Sequence, residues 1–222
     1  MSKHLVIRDV SWSLLNVVKN EVAKAKARAK VLLGQPESGF LDKNAPAICL
    51  WLYEVKPYVT QRNEPWEEEI EEAGTDGEKV VIKYAHPLDL DLHYLVAAAH
   101  EDLGEQQALI ALAMKAFMEH ARLSGEELLG ESWRKDEVMP LEYDESLTLE
   151  RQSFLWQSLA TPMRLAVGYR ARARLYSQKE LGRSKRVRTR VIDAFDPLRP
   201  PPGTLAARNM GIEGPPRPNG KK

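Results

Sequence analysis

The sequence predicts an α+β domain, because strand-like and helix-like segments follow one another along a chain of ordinary globular composition. Two features carry that reading. Residues 86–96 and 163–176 alternate apolar and charged side chains with the period of two that a half-buried strand requires. Segments 9–30, 105–121 and 149–160 instead repeat their apolar residues at helical spacing. The 222 residues are 43% hydrophobic and 29% charged, which suits one main domain with residues to spare for an extension.

The elements follow in order. From Asp9 to Lys30, Leu14, Val17, Val18, Val22 and Ala25 share one helix face, with Asp9 or Ser11 as the N-cap. "KVLLG" is a short strand. "PAICLWLYEVKPY" (46–58) is apolar at both alternations, Cys49, Trp51 and Tyr53 on one side and Ile48, Leu50 and Leu52 on the other, so it reads as a central strand covered on both faces. The acidic stretch 63–78, with Gly74 and Gly77, reads as a long solvated loop before the strand "KVVIKYA". In 86–96, Leu88, Leu90, Leu92 and Tyr94 face one way and Asp89, Asp91 and His93 the other. Asp102 and Glu105 have capping-box spacing ahead of helix 105–121, whose core candidates are Leu109, Leu112, Ala116 and Phe117. Helix 149–160 stops before Pro162. Strand 163–176 sets Leu165, Val167, Tyr169, Ala171 and Ala173 against Arg170, Arg172 and Arg174. The chain therefore divides into a domain of residues 1–177 and a basic, proline-rich extension of residues 178–222 with too few apolar residues for a core of its own.

Charge and chemistry narrow the function. The formal net charge is zero, yet residues 64–78 hold acids and no base, whereas 178–222 hold eleven Lys or Arg against four Asp or Glu. Blocks of opposite sign point to interaction surfaces. Cys49 is the only cysteine and lies in an apolar run, which predicts a buried, inert thiol and no disulfide. No apolar run approaches the roughly 20 residues of a membrane span, and residues 1–12 lack the apolar core of a secretory signal. The expected location is the cytoplasm, without a membrane partner.

Asp89, Asp91 and His93 could be taken for metal ligands, but on one straight strand they are about 7 Å apart per two-residue step and converge poorly on one ion. The phosphate-binding loop, the dinucleotide glycine fingerprint, the zinc-protease helix and the serine-hydrolase elbow are all missing from the sequence. No cofactor, metal or catalytic residue is expected. If strands 86–96 and 163–176 share a sheet, Asp89 and Asp91 look the same way as Arg170, Arg172 and Arg174, forming a charged outer face on which another protein can dock. Arg186, Arg188 and Arg190 of the extension complete the interface candidates. Val191 and Ile192, interleaved with those cations, suggest an arm that adds to another surface as a strand, and nucleic acid is not an expected partner.

Four segments in this order form a recognisable set: "IRDVSWSLLNVV", "CLWLYEVKPYVTQRNEP", "HPLDLDLHYLVAAAHED" leading into "EQQALIALAMKAFMEH", and "LTLERQSFLWQSLATPMRLAVGYRARARLY". Over residues 5–177 the set resembles the cap, or tail-terminator, proteins of phage-tail-like contractile injection systems. The resemblance implies a single mixed, largely antiparallel sheet packed by helices and a structural, non-enzymatic role. It also implies a six-fold ring of identical subunits that sits on the last layer of the inner tube, stops its growth and holds the sheath end. The partners implied are further copies of the chain, the inner tube protein and the sheath protein. Stretch 63–78 and extension 178–222 depart from the family pattern, and the extension is expected to reach a sheath subunit or a neighbouring copy. Competing readings are a phage head-to-tail completion protein, a nucleic-acid-binding module using Arg170, Arg172, Arg174 and the tail, and a hydrolase using Asp89, Asp91 and His93.

Overall fold

The computed structural model describes residues 3–58, 67–73 and 79–185. In chain order its elements are helix α1 (Val6–Lys24), strand β1 (Lys30–Leu33), helix α2 (Ser38–Leu41), strands β2 (Ala47–Pro57), β3 (Glu67–Ala73), β4 (Lys79–Ala85) and β5 (Leu88–Ala99), helix α3 (Leu103–Glu119), strands β6 (Arg122–Ser124) and β7 (Val138–Tyr143), helix α4 (Leu149–Ser158), and strands β8 (Ala166–Leu175) and β9 (Glu180–Lys185). Six strands form one sheet in the order β1-β2-β5-β8-β7-β6. Only β1 and β2 run parallel; the other pairings are antiparallel. The expected mixed, largely antiparallel sheet is present, accompanied by a second sheet in the order β3-β4-β9.

Strand β5 shows why the main sheet is buried. Leu90, Leu92, Tyr94, Val96 and Ala98 enter a core with Val10, Leu14 and Val18 of α1 and Ala113, Ala116 and Phe117 of α3. The intervening Leu95, Ala97 and Ala99 enter a second core with Cys49 of β2 and Trp156 of α4. Alternation thus feeds two layers from one strand, and small alanines leave room for the indole. Cys49 is fully buried and its thiol donates to the Gly34 carbonyl at 3.1 Å. Burial pushes that thiol up to about 12, which keeps it protonated and inert near neutral pH. Asp102 caps α3 by accepting the Glu105 N–H, and Thr148 caps α4 through the Arg151 N–H. Among the described residues, no helix is long and apolar enough to cross a membrane.

Helix α1 departs from expectation at both ends. It starts at Val6 and ends at Lys24, with Lys26 in the left-handed region (φ 54°) closing the last turn, so residues 25–30 are not helical. Asp9 is no N-cap. It sits in the first turn, fully buried, and its carboxylate accepts the N–H groups of Glu131 and Ser132 (3.2 Å each) and the Ser132 hydroxyl (2.7 Å). Val6 and Val10 already face the core, so burial decided where the helix begins, and a distant loop supplied Asp9 with donors.

The acidic stretch also differs. Residues 67–73 are strand β3, paired antiparallel with β4 so that Ile70 lies opposite Ile82 and Glu69 opposite Lys83, instead of a solvated loop. An edge strand can keep charged side chains in water while its backbone bonds to one neighbour, so composition did not forbid a strand. Residues 63–66 and 74–78 lie outside the described residues. The start of the basic extension supplies β9, and the compact unit runs to Ser184, beyond the expected boundary at residue 177. Arg186, Arg188 and Arg190 lie outside the described residues.

Candidate functional site

The face of the sheet that carries α4 is apolar at one end and polar at the other. Register accounts for the polar end. β5 and β8 pair with Asp89 opposite Arg174, Asp91 opposite Arg172 and His93 opposite Arg170. The first two are ion pairs, at 2.9 and 2.8 Å, as the shared-sheet expectation required. Arg170 turns instead to Glu142 of β7, at 2.6 Å. Asp89 and Asp91 are themselves buried beneath the guanidiniums. Their negative charge is spent within the sheet, and what reaches the surface is chiefly Arg174, whose side chain is 47% exposed. Because each arginine of β8 faces a carboxylate, the strand offers no uniform positive strip to a phosphate backbone. In a double-mutant cycle with Asp89→Ala and Arg174→Ala, the measured coupling in urea unfolding is expected at about 0.2–1 kcal/mol and to fall as salt is added.

His93 belongs to a different network, which sequence reasoning missed. Asp144, just after β7, accepts from His93 Nδ1 at 2.6 Å, from the Tyr53 hydroxyl at 3.0 Å, and from the Ser146 N–H and hydroxyl at 3.1 and 2.6 Å. Burial pushes the Asp144 carboxyl up, but the hydrogen bonds from His93, Ser146 and Tyr53 outweigh it and hold the group down at about 2. The same Tyr53 phenol is pushed up by burial and by the Asp144 charge. A bulge between Leu52 and Glu54 sets up this meeting. The extra residue lets Tyr53 reach Asp144 while its neighbour Glu54 pairs with Arg151 of α4 on the same side. Gly168 completes the fit, because a Cβ there would lie 2.7 Å from Leu147 Cδ2 and 3.2 Å from Asp144 Cβ. The Asp-x-Ser pattern at 144–146 is an Asx-turn signal that the sequence offered.

Among the described residues, no hydroxyl or thiol nucleophile bonds the second nitrogen of His93, and no three His, Cys, Asp or Glu residues converge as a metal site. Asp89, Asp91 and His93 each have a different partner. Beside the ion pairs lies a cleft of about 710 Å³ lined by Tyr58, Arg122, Arg134, Lys135, Arg172 and Arg174 among others. The Tyr58 ring stacks 3.6 Å from the Arg172 guanidinium.

A family model described as the Pvc16 N-terminal domain matches residues 9–189. The chain belongs to that family. No curated protein matches it at a significant level. Among solved structures, the chain is similar to the sheath/tube terminator, in the extended state, of the PVC extracellular contractile injection system. Identity is 14%, the match covers 93% of this chain and 70% of that one, and the TM-score is 0.61. A second similar structure is the anti-feeding prophage cap, described as a tube-terminating cap, with 13% identity, coverage of 67% and 49%, and a TM-score of 0.43. The resemblance to tail-terminator proteins read from the sequence is borne out by the family match and by the fold shared with the PVC terminator. For this family member, the interface candidates of β5 and β8 lie side by side on one face, as their register dictates.

Proposed function

We propose that this chain is a structural cap of a contractile injection system. In this reading it forms a six-fold ring on the end of the inner tube, stops tube growth and holds the end of the sheath. The compact unit up to Ser184 is the body of the ring, and the basic residues that follow it are the arm that meets a neighbour. Inner tube protein, sheath protein and further copies are the partners; no catalysis, cofactor or membrane is involved, and assembly occurs in the cytoplasm.

The observation that carries the ring is a pair of apolar patches on opposite sides of the main sheet. On the outer side of α3, Leu103, Met114 and Met118 follow one another at spacings of eleven and four residues, which is one helix face, and Leu103 and Met118 are 72% and 73% exposed. On the other side, Leu149, Phe154 and Met163 line a shallow groove at α4, with Phe154 72% exposed. Two different patches that each need cover favour head-to-tail contact, and rotational closure of that contact gives a ring. Many weak contacts repeated around the ring sum to a firm seat on the tube. The fold shared with a sheath/tube terminator supports the same reading.

Light scattering on the purified chain, with electron-microscope images of the same peak, tests it. A closed ring of about six subunits is the expected result, and Leu103→Glu with Met118→Glu is expected to yield folded monomers. A wild-type chain that stays monomeric both alone and with its tube protein would overturn the reading.

A further inference from the structure

The acidic strand and the basic tail, which the sequence sets apart as blocks of opposite sign, fit together through the small sheet. Among the described residues its order is β3-β4-β9, which makes β3 and β9 its two edges. An edge strand carries backbone N–H and C=O groups with no strand beyond them, and adding a strand there satisfies them. The sequence of β3 holds Glu67, Glu68, Glu69, Glu71 and Glu72 within seven residues and no base. Such an edge repels most strands and selects a cationic one.

The chain itself contains that strand. Directly after β9, residues 186–192 read Arg-Val-Arg-Thr-Arg-Val-Ile, with Arg186, Arg188 and Arg190 at period two and Val187, Thr189 and Val191 between them. Period two is the strand repeat, and the β-branched residues favour it. The segment is tethered at the β9 edge, about 10 Å across the sheet from β3. Continuity from Lys185 to Arg186 leaves no connecting loop with which to turn back to the far edge of the same sheet. A second copy imposes no such turn.

We propose that residues 186–192 of one copy add as a strand to the β3 edge of the next. Each copy then donates at one edge and accepts at the other, which is the head-to-tail contact that closes a ring. This inference rests on the cap-ring reading and adds a strand joint to the apolar contact between its subunits.

The test uses full-length chains and two cysteine variants. One chain carries Glu69→Cys and the other Arg188→Cys; native Cys49 is buried with its thiol pushed up to about 12, so it stays silent. An equimolar mixture under mild oxidation is expected to give a disulfide-linked heterodimer. Adding Arg186→Glu and Arg190→Glu to the second chain is expected to cut its yield about tenfold, and raised salt is expected to cut it too. Circular dichroism confirms that each variant is folded. The proposal is overturned if the mixture gives no heterodimer, or if one chain carrying both cysteines closes only on itself. The two readings separate cleanly. A wild-type ring whose chains never cross-link overturns the strand exchange and leaves the cap standing, whereas cross-linking without ring closure supports the exchange and counts against the ring alone.

Discussion

Gly130→Ala is expected to destabilise the fold by about 3 kcal/mol or more, through strain and overpacking at a position that has no room to relax. Gly130 has φ 101°, in the left-handed region, and a Cβ built on it would lie 2.2 Å from Asp9 Cγ and 2.4 and 2.6 Å from the carboxylate oxygens. Asp9 cannot swing aside without releasing the Ser132 hydroxyl and the two backbone N–H groups it holds. The junction ties the start of α1 to the loop before β7, which is more than a hundred residues away in sequence. Asp9→Ala, which removes the acceptor shared by the buried Ser132 N–H and hydroxyl, is expected to cost about 3 kcal/mol by a different mechanism, the loss of buried hydrogen bonds. Arg8, whose side chain is 43% exposed, contributes to the same carboxylate from the solvent side, so Arg8→Gln should cost under about 1 kcal/mol. Urea unfolding of the three variants checks the ranking; a Gly130→Ala midpoint close to wild type would show that the loop accommodates a side chain after all.

Removing Asp144 is the second change with a large expected effect. Asp144→Ala strands the buried His93 Nδ1, takes the acceptor from the half-buried Tyr53 hydroxyl and dissolves the turn that launches α4, at a cost of about 3 kcal/mol. The same group sets an acid dependence whose sign follows from its shift. The carboxyl lies at about 2 in the fold against 3.8 ordinarily, so the folded state binds its proton less readily than the unfolded chain does. Its contribution, about 2 kcal/mol, is therefore complete above about pH 4, shrinks as the pH falls toward 2 and is gone below that. Asp144→Asn is expected to be less stable than wild type at pH 7 and to lose less on acidification, so that the two stability curves converge between pH 4 and 2. Curves that stay parallel across that window would mean Asp144 titrates as an ordinary carboxyl.

Much of the fold was legible in the sequence wherever one residue's environment depends on its neighbours two or four places away. The alternation in 86–96 and 163–176 assigned each side chain to a face, and the structure places Leu90, Leu92, Tyr94, Ala171 and Ala173 in the core and the aspartates and arginines opposite one another. The cap at Asp102 rests on a local hydrogen bond across three residues. The acidic stretch was misread for the opposite reason: nothing local says whether a run of glutamates has a strand beside it, and β4 supplies the partner.

The sequence by itself determined the α+β class, the two-faced strands and the inert Cys49, because side-chain period and polarity act over a few residues; that Asp89 and Asp91 meet the β8 arginines needed the two strands to share a sheet. Only the tertiary structure decided that Asp9 would be a buried acceptor and not a cap, that His93 would leave Arg170 for Asp144, and that a bulge would turn Tyr53 and Glu54 to one side. Each of those choices depends on groups far apart in the chain, since Asp9 and Ser132 are 123 residues apart and His93 and Asp144 are 51 apart. A buried polar group takes whichever partner the packing delivers, and that partner is not written in its own neighbourhood.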